Sequence, residues 1–196
     1  MTDSSVKLQA RKQQLVRDAI WDAAIDLFVA NGFDSVTVDD IAQSAGVSPR
    51  TFFRYFSSKG DLMGQGIVTY REQLAEAIRA RPRRESHFEV MRHSVLQIAE
   101  MVAGHPRTRS VIAVATKSPG AREAQLAHRP QLEEFVARAF AQRLRNSRQN
   151  DLRARLLAGL TLTALDVAIR YWYEHGEEDI RKTAENVFSM LGELTG

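Results

Sequence analysis

The stretch TVDDIAQSAGVSPRTFFRYF, residues 37–56, constrains this chain more tightly than any other. Val38, Ile41, Ala42 and Ala45 fall at i, i+3, i+4 and i+7, so they gather on one helical face that has to pack against something. Thr37 stands at the N-cap position, and Asp40 is placed to reach back in a variant of the capping box while favouring the positive helix end. Gly46 comes after the last apolar position, where a positive φ most readily ends a helix. Ser48 and Pro49 then open a second helix with an N-cap and a proline at the first helical position. Only Gly46 and Val47 separate the two helices, which forces a sharp angle. In the second helix Phe52 and Phe56 root inward and leave Arg50, Thr51, Arg54 and Tyr55 spread over the remaining surface. A helix-turn-helix has this frame: one helix braces the other, which offers its N-terminal half to the DNA major groove. An ordinary helical corner of an all-α protein has the same spacing.

The residues directly after Phe56 separate the two readings. They are SSKGDL, with Ser58 able to cap a further helix and Lys59 at its positive N-terminus, suited to holding a phosphate. In order and spacing, AIWDAAIDLFVANGF, TVDDIAQSAGVSPRTFFRYF and SSKGDL resemble the DNA-binding domain of TetR-family transcriptional regulators over Leu15 to Leu62. The resemblance implies three N-terminal helices with the third as recognition helix, joined by a fourth to a helical ligand-binding and dimerisation domain. It implies a DNA face of Thr37, Ser48, Pro49, Arg50, Thr51, Phe53, Arg54, Tyr55 and Lys59. Arg50, Thr51 and Arg54 are expected in the major groove, and Thr37, Tyr55 and Lys59 on phosphates. Phe53 departs from the family, which usually carries a tyrosine there, so one hydroxyl contact is lost. Tyr55, where a histidine is more usual, can substitute as a phosphate donor.

Length and charge fit this reading without carrying it. The 196 residues suffice for one ordinary domain or two small ones sharing a core. The absence of cysteine excludes disulfides, thiolate chemistry and cysteine metal sites. No secretory signal pattern opens the sequence, so a cytoplasmic location is expected. The net charge of +3 is modest, but Arg50, Arg54 and Lys59 stand between Ser48 and Gly60 without an acid. Two further basic runs, RARPRR at 79–84 and RLRNSR at 143–148, read as solvated helix ends and loops.

Along the chain the expectation is all-α, with about nine helices. Residues 1–13 read as a polar flexible arm, 14–60 as the helix-turn-helix domain, about 59–80 as a linking helix, and 81–196 as an effector-binding and dimerisation domain. Pro130 is expected to kink or break the long segment from about 121 to 144. The helix from about 152 to 174 is unusual, since Asp166 is its only charge between Leu156 and Ile169. It is too short and interrupted for a membrane span. One face can cover its own domain and the other needs a partner, with Ala158, Gly159, Ala164 and Ala168 permitting close approach. That predicts a homodimer through Leu156, Leu160, Thr163, Val167, Phe188 and Leu191.

No phosphate loop, paired metal-spaced histidines or nucleophile elbow appears, so neither an enzyme nor a metal site is expected. Asp166 has Arg170 four residues on for an ordinary ion pair. Met101, Phe135, Tyr171 and Trp172 are candidates for lining a ligand cavity, although core packing explains the same aromatics. RPQLEEF and LTALDVAIRYWYE resemble the actinobacterial branch of acyl-coenzyme A responsive regulators, including those of mycofactocin gene clusters. The function expected is a repressor released from a near-palindromic double-stranded operator by a small apolar or acyl-type effector, with an acyl-CoA among the candidates. The alternative is an all-α interaction module or ligand-binding protein without DNA affinity.

Overall fold

The computed structural model describes residues 2–144 and 148–195, and the side chains of residues 8–65, 70–144 and 148–194. Lys7 of the expected arm, Ile67 of the fourth helix and Asn146 of the expected polar loop fall outside those described side chains. Among the described residues there are ten α-helices and no strand. The count exceeds nine because the segment containing Pro130 is broken rather than kinked. Helix α7 is Pro119–Leu126, and α8, Arg129–Ala141, restarts with that proline in its first turn.

Two compact units emerge. The first comprises residues 1–65 together with 113–127; the second comprises 66–112 and 128–196. The first therefore takes in a segment that the sequence assigned to the C-terminal domain.

In the first unit, α1 is Thr2–Asn31, α2 Val38–Ser44 and α3 Pro49–Tyr55, and α4, Lys59–Ala80, begins here. Helix α1 includes residues 2–13, where an arm was expected. Leu8 and Leu15 are exposed, and the stretch from Lys7 to Lys12 holds neither glycine nor proline to stop the helix. Gly32, at φ +83°, ends it. Ile20, Ala24, Ile25 and Phe28 of α1 are buried, as are Ile41 of α2, Phe52 of α3, Phe56, and Leu62 of α4. Two polar braces fix the register. Trp21 Nε1 donates to the Leu62 carbonyl at 2.9 Å, and the Arg17 guanidinium donates to Gln65 Oε1 at 2.7 and 3.1 Å and to the Tyr55 carbonyl at 3.2 Å. The returning segment adds a third brace. Ser118 caps α7 by accepting from the Ala121 amide and donates its own proton to Asp34 Oδ2 at 2.9 Å. A Cβ at Gly120 would stand 2.8 Å from Asp34 Oδ1, so any larger residue there would have to displace this carboxylate.

In the second unit, α5 is His87–Gly104, α6 Thr108–Lys117, α9 Arg148–Glu174 and α10 Ile180–Thr195; α6 begins here. Helix α9 turns Ala154, Ala158, Ala164, Ala168 and Trp172 into a core shared with α5, α8 and α10. Ala158, Ala164 and Ala168 thus permit close approach within the unit, not to a partner as expected. Small side chains serve either purpose, and neighbouring helices of the same chain occupy this face. Asp166 pairs with Arg170 at 3.2 Å, as the spacing predicts.

Candidate nucleic-acid interface

Helix α2 is built by its cap. Thr37 Oγ1 accepts from the Asp40 amide, while the Thr37 amide donates to Asp40 Oδ2 at 2.9 Å and its hydroxyl donates there at 2.6 Å. These hydrogen bonds hold the Asp40 carboxyl below its usual range. Gly46 makes the turn at φ +66°, the conformation its place in the sequence predicts. Ser48 then caps α3, accepting from the Thr51 amide at 3.1 Å, and Pro49 opens it. Phe52 is fully buried, with Phe56 5.8 Å away centroid to centroid and Phe53 edge-on at 5.4 Å. Arg17 lies over the Phe56 ring at 4.6 Å. The helix therefore has little freedom to roll about its axis.

On the outside of α3 stand Arg50, exposed and without a partner among the described residues, and Arg54, stacked on Tyr55 with the guanidinium 5.0 Å from the ring centroid. Arg54 Nη2 also donates to the Tyr55 hydroxyl at 3.3 Å. Thr51 is half-buried, its hydroxyl 3.0 Å from that of Ser48. Phe53 leaves 56% of its surface open, an aromatic face with no polar atom. Ser48, Pro49, Arg50, Thr51, Phe53, Arg54 and Tyr55 thus share one short helix and its cap.

Two expected phosphate donors are otherwise engaged. Lys59 does not point outward: its ammonium donates to the carbonyls of Phe33, Val36 and Asp34 at 2.8, 3.0 and 3.2 Å, and lies 4.6 Å from the Phe33 ring centroid. All three of its protons are committed. The N-terminus of α4 is served instead by Asp61, whose carboxylate accepts from the Ser57 amide at 2.8 Å and from the Ser57 hydroxyl. Thr37, though exposed, gives its hydroxyl proton to Asp40, whose negative charge disfavours a phosphate at the same spot. Position at a helix start suggested both roles, and neither local spacing nor propensity revealed the competing acceptors.

The three-helix head with a capped, aromatic-rooted recognition helix is matched by the profile of bacterial regulatory proteins of the tetR family over residues 20–65, and residues 85–195 match the MftR C-terminal domain. This chain belongs to the TetR family. TetR regulators are DNA-binding transcription factors rather than enzymes, and that is the class of this chain. It is 26% identical to the HTH-type transcriptional regulator TcmR of Streptomyces glaucescens, over 98% of this chain and 88% of that one. It is 44% identical to the putative mycofactocin biosynthesis transcriptional regulator MftR of Mycobacterium tuberculosis, over only 33% of this chain and 32% of that protein. Among solved structures, NalD, the secondary repressor of the MexAB-OprM multidrug efflux pump in Pseudomonas aeruginosa, shares the fold. Its TM-score is 0.60 at 19% identity, covering 93% of this chain and 96% of that one.

The second unit treats the other expected sites differently. Trp172 is core, 4% exposed and overlaid by Arg109 at 4.1 Å, whereas the neighbouring Tyr171 is 48% exposed and stacks on His175 at 3.9 Å. Consecutive helical residues point about 100° apart, and here one side chain turns to the core and the other to solvent. Phe135 is half-buried beneath Arg71 and Met101 is exposed. The four do not form the pocket that their types suggested. Of the expected dimer residues, Leu156, Thr163 and Val167 are exposed along one face of α9, and Leu160 and Leu191 are half-buried. Phe188 is core, 2% exposed and edge-on to Phe88 at 5.6 Å. Exposed Leu152 on α9 and Met190 and Leu194 on α10 were missed, though they continue the four-residue spacing of Leu156 and of one another.

No helix among the described residues is long and apolar enough to cross a membrane.

Proposed function

We propose that this chain is a homodimeric repressor that reads a near-palindromic operator through α3 and is released by a small-molecule effector of its C-terminal domain. The observation carrying the DNA-reading assignment is Arg50 and Arg54 on the outer face of a helix whose aromatic root is buried. Arg50 and Thr51 read base edges; Arg54, expected in the groove, is drawn onto Tyr55 and with it holds phosphates, while Ser48 and Pro49 set the entry angle beside Phe53. Thr37 and Lys59 serve the architecture of the head.

Dimerisation uses the exposed stripe of α9, Leu152, Leu156, Thr163 and Val167, with Met190 and Leu194 of α10. A two-fold dimer sets recognition helices about one DNA turn apart, roughly 34 Å or a multiple, which demands operator symmetry. The effector is apolar or acyl-bearing, the class that the resemblance carried by RPQLEEF and LTALDVAIRYWYE implies. The protein acts in the cytoplasm, where the operator is.

The test is equilibrium binding of the full chain to duplexes selected from a random pool, measured between about 50 and 200 mM salt. A log–log slope near −0.9 per neutralised phosphate is expected. Arg54→Ala should flatten it by about 0.9 per protomer, and Arg50→Ala should relax preference at one base pair by about 1–3 kcal/mol. A slope insensitive to Arg54→Ala together with unchanged base preference in Arg50→Ala overturns the assignment.

A further inference from the structure

One arginine from each of the two basic runs that the DNA face leaves unused lines the same concavity of the second unit. Arg83 of the first and Arg143 of the second, with Arg153 of α9, line a cavity of about 220 Å³ that also presents Glu85 and the apolar Val90 and Leu144. Three guanidinium groups and one carboxylate leave an excess of two positive charges around it. The carboxylate is already answered: Glu85 receives two hydrogen bonds from Arg81, one of them at 2.8 Å, and these hold its carboxyl below the usual range.

Arg143 is fixed in place by donating to the carbonyls of Ile78, Arg81 and Pro82, which anchors the C-terminal end of α4. Burial, and then the positive charge of Arg83, push its guanidinium down from its usual range. Arg83 and Arg153 are exposed and have no hydrogen-bond or ion-pair partner among the described residues. Like charges gathered about one concavity raise one another's energy, and an anion seated among them removes that cost.

We propose that this cavity is a binding site for the phosphate group of a small molecule. Guanidinium forks match the tetrahedral oxygens of phosphate, and the half-buried Leu144 offers contact to a small apolar ester group. The volume sits below the roughly 300–1,000 Å³ of pockets that enclose drug-sized ligands, which favours a compact anion over a large apolar effector. The site is independent of the DNA face and of the effector proposed above.

The experiment is calorimetric titration of the full chain with phenyl phosphate and with inorganic phosphate at matched ionic strength. Phenyl phosphate should bind once per protomer. Arg83→Gln with Arg153→Gln should weaken it at least about tenfold, and Arg50→Gln with Arg54→Gln should leave it unchanged. Tighter binding of phenyl phosphate than of phosphate assigns an organic ester; equal binding assigns the free ion. Melting curves check that the paired variant folds, and Arg153→Glu alone should also abolish binding. Absence of phenyl phosphate binding at millimolar concentration, or affinity within twofold in the Arg83/Arg153 variant, overturns the site.

Discussion

Lys59 Nζ donates to the carbonyl of Phe33 at 2.8 Å, across 26 positions of sequence, and its charge lies over the same residue's ring. With the carbonyls of Asp34 and Val36 completing its shell, this ammonium closes the loop between α1 and α2.

Lys59→Ala should therefore lower the unfolding free energy by about 1–3 kcal/mol, the worth of hydrogen bonds from a charged group to two part-buried carbonyls and one exposed one. Denaturant titration measures it. The salt slope of DNA binding should stay at the wild-type value, because no phosphate contact is lost; a flattened slope with unchanged stability would return Lys59 to the DNA face.

Phe53→Tyr restores the hydroxyl that the family usually carries. The ring is already solvent-facing, so stability should not move. Operator affinity should rise about 3- to 10-fold if the new donor meets a phosphate, consistent with a net gain of about 1 kcal/mol. Fluorescence anisotropy with the selected duplex reads the change.

Leu156→Arg and Phe188→Ala should fail in different ways. Leu156 is 60% exposed, so its replacement should leave a folded protein of monomeric mass in sedimentation. Phe188 is packed against Phe88, and truncation there should cost about 3–5 kcal/mol whatever the mass. A dimeric Leu156→Arg protein would remove α9 from the interface.

The cap of α2 sets an acid limit. Asp40 has its carboxyl below the ordinary 3.8 because Thr37 donates to it, so the capped state gains stability above the unfolded pKa. That contribution is lost as pH falls through the depressed folded value. Monitoring the Asp40 carboxyl by NMR should give a midpoint below 3.8, and Thr37→Val should raise it. An unchanged midpoint in Thr37→Val would show that the cap does not supply the shift.

The features legible in the sequence were local ones. The Thr37–Asp40 box, the turn at Gly46 and the Ser48–Pro49 start depend on neighbours within a few residues, and all are present. The family resemblance rested on those same signals. The hidden features depend on distant partners: carbonyls that turn Lys59 inward, Arg17 bracing Tyr55 and Gln65, and the rotation that parts Tyr171 from Trp172. Nor does an apolar stripe state which neighbour will cover it, which is why Ala158 and Phe188 were assigned to a partner and are core.

The bond from Ser118 to Asp34 makes the reading head a discontinuous piece of chain. A graft or fragment that stops after α4 would carry every residue of the proposed DNA face and still lack the segment 113–127 that its own unit contains. On the ribosome the same geometry imposes an order: residues 66–112 of the other unit are made before the head receives its last part. Its assembly is therefore completed only once residue 127 has been made, after part of the other unit.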